Sequence, residues 1–143
     1  MLQNVPILAG LEEAALNLLW ERTTETKTSA GSVIVREGDV GNRFFLIGQG
    51  SVRVCKRFGE PNEVELARLG PGDFFGEMCI LETLPRSATV QAVSDTTLHS
   101  MTSMAFYHLY QAMPGQYSIL VLNIARDLSR RLRHLDEIFA ARH

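Results

Sequence analysis

Cysteine is scarce in this sequence: Cys55 and Cys79 are the two such residues among 143. They do not form a Cys-x-x-Cys motif, which argues against zinc ribbons and iron–sulfur clusters. Each lies among apolar or strand-forming residues, where a free thiol packs as a small hydrophobic group. We therefore expect two buried thiols rather than a disulfide or a redox pair.

Long apolar runs are missing as well. No stretch approaches the roughly 20 apolar residues with which a helix crosses a bilayer. The N-terminal segment MLQNVPILAGLEEAA lacks the basic leader and apolar run of a secretory signal peptide. We therefore expect a cytoplasmic chain that does not associate with a membrane.

The chain also lacks a strong excess of charge of one sign, because its formal net charge is -2. Domains that bind nucleic acid usually carry a basic patch or stripe. Basic side chains concentrate near the C-terminus, at Arg126, Arg130, Arg131 and Arg133. Acidic residues are interspersed among them, which favours a solvated helix face over a nucleic-acid interface.

Patterns typical of catalysis and metal binding are absent too. A metal-dependent jelly roll of the cupin kind needs two histidines one residue apart, a nearby carboxylate and a third histidine. That spacing does not occur among the four histidines His99, His108, His134 and His143. There is also no Gly-x-Ser-x-Gly nucleophile elbow. We therefore expect no metal site, no cofactor and no enzymatic activity.

The sequence does contain many short segments with the two-residue period of β-strands, separated by glycine-rich turns. They begin near Ser32 and include residues 44–47, 51–56, 63–67, 88–93 and 96–101. This pattern predicts a sandwich or a barrel, over about residues 23–102. Residues 23–31 are polar and resemble a turn. We expect one domain spanning residues 1–143.

Helical periodicity flanks these strands on both sides. A short helix is predicted over residues 8–22, and another over residues 103–112, ended by Pro114. A long helix is predicted over about residues 115–141, with the apolar stripe Leu120, Ile124, Leu128, Leu132, Leu135 and Phe139. At 1.5 Å per residue it would run ~35–40 Å, more than a small barrel covers. The stripe therefore either folds over the barrel as a lid or pairs with a second copy.

One apolar segment, FGEMCILETLPRSA (residues 75–88), contains an acid, Glu77, and an arginine, Arg86. A guanidinium offers the forked donors that suit a phosphate, and a carboxylate can accept from a ribose hydroxyl. Gly76 allows close backbone approach, and the N–H groups of a following helical turn favour an anion. The segment thus fits a ribose-phosphate site, although a structural Glu77–Arg86 salt bridge would explain the same two charges.

The stretch GDFFGEMCILETLPRSATV (residues 72–90) resembles the phosphate-binding cassette of the cyclic nucleotide-binding domain family. That family includes bacterial catabolite-activator-type regulators, kinase regulatory subunits and cyclic nucleotide-gated channels. VIVREGDVGNRFFLIGQGSVRV (residues 33–54) is similar to the family's first strands. The resemblance implies a mainly β fold: a double-stranded β-helix (jelly-roll) barrel with an N-terminal helix and a long C-terminal helix.

The resemblance also implies roles for individual residues. The ligand would be cyclic AMP or cyclic GMP, with Glu77 accepting from the ribose 2′-hydroxyl and Arg86 pairing with the cyclic phosphate. Backbone N–H groups would come from Gly76, Ser87 and Ala88, and the Ser87 hydroxyl could add a phosphate contact. The cassette turn containing Met78 and Cys79 completes the expected ligand-binding set.

The base contact departs from the pattern of the catabolite-activator-type regulators. In those proteins an Arg-Arg-Leu on the long helix is followed by hydroxyl residues that touch adenine. Here Arg130-Arg131-Leu132 is followed by Arg133-His134-Leu135-Asp136. The expected base contacts are therefore Arg131, Leu135 and Asp136, and the choice between cyclic AMP and cyclic GMP stays open.

Partners follow from the same resemblance. The bacterial branch implies a homodimer formed through the C-terminal helix, whose movement would report ligand binding. Regulators of that branch read DNA with a helix-turn-helix after the long helix. The sequence ends at His143 without one, so we expect no direct DNA binding, and the effector protein is unknown. The alternatives are a protein-interaction or dimerisation domain with a degenerate pocket, and a binder of another anionic nucleotide.

Overall fold

The computed structural model describes residues 5–76 and 85–141, and these form two antiparallel four-stranded sheets flanked by helices. The strands are β1 (Thr24–Thr28), β2 (Val33–Val35), β3 (Arg43–Gln49), β4 (Val52–Lys56), β5 (Val64–Leu69), β6 (Phe74–Phe75), β7 (Thr89–Ala92) and β8 (Thr96–Thr102). Sheet I has the strand order β1-β8-β3-β6 and sheet II the order β2-β7-β4-β5. The predicted mainly β jelly-roll class is confirmed by this arrangement.

The helices lie at both ends of the chain, as predicted. A 3-10 turn (Pro6–Leu8) precedes α1 (Glu13–Glu21), and α2 (Ser103–Ala112) precedes the long α3 (Pro114–Ala141). Proline suits the first position of α3 because its missing N–H would have no partner inside the helix anyway. Among the described residues, no helix is long and apolar enough to cross a membrane.

Three elements differ from the sequence predictions: two strands that were not predicted and the start of the first helix. Residues 24–28, predicted to be part of a turn, form β1, whose backbone pairs with β8. Its side chains are polar and mostly exposed, so the sequence shows no alternation of apolar and polar residues there. The two-residue strand β6 is too short to produce a visible period. The first helix begins at Glu13 rather than Leu8, because Gly10, with φ of +83°, separates it from the 3-10 turn.

Strand β3 of sheet I is apolar on both faces. Successive side chains of a strand point to opposite sides of the sheet, and here both sets are buried hydrophobic residues. On β3, Phe44 and Leu46 join a cluster beneath the helices, whereas Phe45 and Ile47 join a cluster between the two sheets. Cys55 is buried as a free thiol, as expected, and this burial raises the pKa of the thiol. Cys79 lies outside the described residues.

Helix α3 is fixed to the rest of the molecule mainly through its first half. Leu120 and Ile124 are buried, and the Asn123 Nδ2 group donates to the carbonyl oxygens of Ile7 (2.9 Å) and Ala9 (2.8 Å). From residue 132 to residue 141 every side chain is exposed. The apolar stripe therefore extends beyond the part of the helix that the barrel covers.

Candidate functional site

A cavity of about 690 Å³ lies between sheet II, the segment around Arg86 and the second half of α3. This volume is within the usual range for small-molecule sites. Its apolar wall is formed by side chains from four strands: Val35, Val54, Phe75 and Val90. Residues 66–69 of β5 form another side.

The main chain of Arg86 is bound to the loop between β2 and β3 by a pair of hydrogen bonds. Gly38 N–H donates to the Arg86 carbonyl (2.9 Å), and Arg86 N–H donates to the Asp39 carbonyl (2.7 Å). This reciprocal pair fixes the point from which the Arg86 side chain leaves the backbone.

The guanidinium of Arg86 is held at the cavity wall by a backbone carbonyl and two glycines. Its Nη2 group donates to the Arg43 carbonyl at 3.0 Å. A Cβ at Gly41 would lie 2.6 Å from Nη2, and a Cβ at Gly76 would lie 2.8 Å from Nη1. Gly76 also has a φ of +82°, which side chains disfavour. The two glycines thus leave room that no other residue would provide.

No carboxylate forms an ion pair with Arg86 among residues 5–76 and 85–141. A guanidinium has five N–H donors, and the Arg43 carbonyl accepts one of them. Within the described part of the chain, several of its donors are therefore available to an anion in the cavity. Whether Glu77 pairs with Arg86 lies outside the described residues.

The other predicted cassette residues divide into two groups. Gly76, Ser87 and Ala88 line the same cavity as Arg86, with Ser87 exposed and Ala88 buried. Glu77, Met78 and Cys79 lie outside the described residues. The described cassette residues thus come together around one cavity.

One face of α3 closes the cavity with three polar side chains and one leucine. Asp127, Arg131, His134 and Leu135 line it, a spacing of four, seven and eight residues that places them on one side of a helix. Asp136, predicted as a base contact, is exposed and is not part of this lining. Asp127 and His134 were not predicted, although their helical spacing from Arg131 could have indicated them.

Arg131 connects the second half of α3 to sheet I. Its Nη2 group donates to the Phe74 carbonyl at 3.1 Å, and its guanidinium carbon lies 4.4 Å from the centre of the Phe74 ring. Its Nε atom is 2.8 Å from Asp127 Oδ2. The N–H does not point at that oxygen, so among the described residues Oδ2 is buried without a hydrogen bond.

The charges around the described part of the cavity favour an anion. Three arginines (Arg68, Arg86 and Arg131) and two aspartates (Asp73 and Asp127) line it. Hydrogen bonds with the Glu65 carboxylate raise the pKa of Arg68, and the same contact lowers the pKa of Glu65. Asp73 Oδ2 already accepts from Gly70 N–H at 2.9 Å. Among the described residues, no cluster of three His, Cys, Asp or Glu side chains is arranged to hold a metal ion.

Comparison with known proteins identifies this architecture. The family model for the cyclic nucleotide-binding domain matches residues 25–113. The chain is 34% identical to the cyclic AMP receptor protein of Thermus thermophilus over 131 residues, which are 92% of this chain and 59% of that protein. The chain therefore spans less than two thirds of this relative's length.

Solved structures agree with the family model. The crystal structure of the Thermus thermophilus catabolite activator protein superposes with a TM-score of 0.79 at 32% identity, covering 95% of this chain and 62% of that one. The regulatory domain of Toxoplasma gondii PKA, co-crystallised with cAMP, gives a TM-score of 0.68 at 31% identity, covering 75% and 41%. Fold, cavity and sequence lead to one conclusion: the chain belongs to the cyclic nucleotide-binding domain family.

Proposed function

We propose that this chain reversibly binds cyclic AMP or cyclic GMP in the 690 Å³ cavity, without catalysis, and that occupancy is coupled to the position of α3. The observation that carries the proposal is the Arg86 guanidinium, held between Gly41 and Gly76 with no carboxylate partner among the described residues. A cyclic phosphate accepts several hydrogen bonds and carries one negative charge, which suits these donors.

The remaining roles are proposed from the cavity lining and from the resemblance to the family's cassette. Arg86 is the phosphate anchor, and Gly76, Ser87 and Ala88, which line the same cavity, supply further N–H groups. On the resemblance alone, Glu77 accepts from the ribose 2′-hydroxyl, and Met78 and Cys79 belong to the ligand-binding set. Arg131 and Leu135 face the base from α3, since both line the cavity. Both purines are retained as candidates.

The first test is calorimetric titration of the chain with cyclic AMP and cyclic GMP, using the open-chain monophosphates as controls. We expect a cyclic form to bind and Arg86→Ala to weaken it by roughly 30- to several-thousand-fold. This range corresponds to the ~2–5 kcal/mol cost of truncating one partner of a buried charged pair. Arg22→Ala, which removes a guanidinium from the end of α1, is the matched control and should bind like the parent. Equal affinity of Arg86→Ala and the parent would refute the role of Arg86.

The coupling to α3 depends on how weakly its second half is attached. Beyond Ile124, α3 is attached by the partly buried Leu128, which packs against the cluster beneath the helices, and by the hydrogen bond and ring contact from Arg131 to Phe74. A ligand that enters beside Arg131 and Leu135 changes the contacts available to this half of the helix. Differential affinity for two helix positions is sufficient to shift the population between them.

Hydrogen exchange of the ligand-free protein tests this coupling. Arg131→Ala should accelerate exchange of the amides after residue 125 by roughly 5- to 30-fold, because one hydrogen bond and one cation–π contact amount to about 1–2 kcal/mol. Arg130→Ala is the control, since Arg130 is largely exposed and contacts Asp127 at 3.8 Å without touching Phe74. The same modest change in both variants would contradict the proposed tether. Cyclic nucleotide should also alter exchange in this half of the parent helix.

We further propose a homodimer through α3. Its last turns expose Leu132 and Leu135, of which Leu132 is 61% exposed, at the three-residue spacing of the a and d positions through which two helices pair. Sedimentation velocity should show a dimer for the parent, and Leu132→Glu should shift it toward the monomer. A parent chain that sediments as a monomer with and without cyclic nucleotide would contradict the dimer.

A further inference from the structure

We propose that Glu37 is a positioning residue for Arg86. The loop between β2 and β3 holds Arg86, and Glu37 attaches this loop to the end of β4. This inference rests on the proposed function, in which Arg86 binds the cyclic phosphate. Glu37 itself is not part of the cavity lining, so its effect on the ligand would be transmitted through the loop.

The loop of residues 36–42, called the β2–β3 loop here, holds Arg86 at both its main chain and its side chain. Gly38 and Asp39 form the reciprocal backbone pair with Arg86, at 2.9 and 2.7 Å. Two residues later, Gly41 lies against the guanidinium. A shift of this loop therefore moves the origin of the Arg86 side chain and the wall beside it together.

Glu37 attaches the loop to sheet II by three contacts. Its N–H donates to Thr89 Oγ1 (2.9 Å), on a strand that begins three residues after Arg86. Its Oε1 accepts from the Arg57 N–H (3.0 Å), and its Oε2 lies 3.6 Å from Lys56 Nζ. The side chain thus bridges the β2–β3 loop and the end of β4.

The partner of Glu37 is in an unusual conformation. Arg57 has a φ of +56°, and it is the one non-glycine residue in the left-handed region among the described residues. Such a conformation is disfavoured for a residue with a Cβ and persists where surrounding contacts hold it. Glu37 supplies one of these contacts, and the hydrogen bond from the Arg57 N–H lowers the pKa of Glu37. The carboxylate is therefore maintained in the form that accepts.

Glu63 provides a matched control on the same hairpin. Its Oε1 accepts from the Gly59 N–H (2.9 Å), its Oε2 pairs with Arg53 Nη1 (3.0 Å), and these contacts lower the pKa of Glu63 as well. Among the described residues, the hydrogen bonds and ion pair of its carboxylate are with Gly59 and Arg53, and none is with the β2–β3 loop. A general loss of hairpin stability would follow from either truncation, whereas a loss of Arg86 positioning would follow from Glu37 alone.

A ligand-independent measurement tests the positioning directly. The Arg86 amide, which donates to the Asp39 carbonyl, should exchange faster with solvent in Glu37→Ala, as followed by NMR in the free chain. Glu63→Ala should leave that amide like the parent. Glu37→Gln keeps an oxygen for the Arg57 N–H and should restore most of the protection. Unchanged exchange in Glu37→Ala, or equal acceleration in Glu63→Ala, would overturn the inference.

A double-mutant cycle then links the loop to the ligand. With cyclic AMP and cyclic GMP as probes, Glu37→Ala should weaken binding about three- to tenfold, as for loss of one partly exposed hydrogen bond. In the Arg86→Ala background it should have no further effect; an undiminished penalty there would show that Glu37 acts elsewhere. If the parent binds neither nucleotide, the proposed function fails, and the exchange experiment still decides whether Glu37 positions Arg86.

Discussion

The cavity depends on the Arg86 guanidinium being held at its wall while most of the guanidinium donors stay available among the residues that the structure describes. One backbone carbonyl, from Arg43, accepts from it, and two positions without a Cβ, Gly41 and Gly76, make room for it. A carbonyl orients a cation without neutralising it, whereas a carboxylate would satisfy its charge and compete with an anionic ligand. This arrangement suits a site that must bind a phosphate and release it again.

The barrel makes such a wall possible because β3 is apolar on both faces. Phe44 and Leu46 anchor sheet I to the helices, while Phe45 and Ile47 anchor it to sheet II. The strand is therefore fixed from both sides, and the Arg43 carbonyl at its start is fixed with it. The same packing places Phe74 where its carbonyl and ring can meet Arg131 of α3. The carbonyl that accepts from Arg86 and the residue that contacts Arg131 thus belong to the same sheet.

The sequence was sufficient to predict the fold class. The strands show a two-residue period and are separated by glycine turns, and the apolar stripe of α3 recurs every three or four residues. The sequence did not predict β1, whose residues Thr24–Thr28 are mostly exposed and owe their conformation to backbone pairing with β8. The cassette motif identified Arg86 as a candidate, but the sequence did not link Gly41 to Arg86. The two positions are 45 residues apart in the chain, and only folding brings them together. The sequence did not predict Asp127 as part of the cavity, because a charged residue on a long helix usually lies on the solvated face. The expected roles of Glu77, Met78 and Cys79 remain predictions.

The most direct test is a crystal structure of the chain with bound cyclic AMP or cyclic GMP, whichever binds more tightly. We expect phosphate oxygens within hydrogen-bond distance of the Arg86 guanidinium, with Gly41 and Gly76 still flanking it and the ribose near Glu77. A complex in which Arg86 is paired with a carboxylate, or in which the phosphate lies elsewhere, would contradict this expectation.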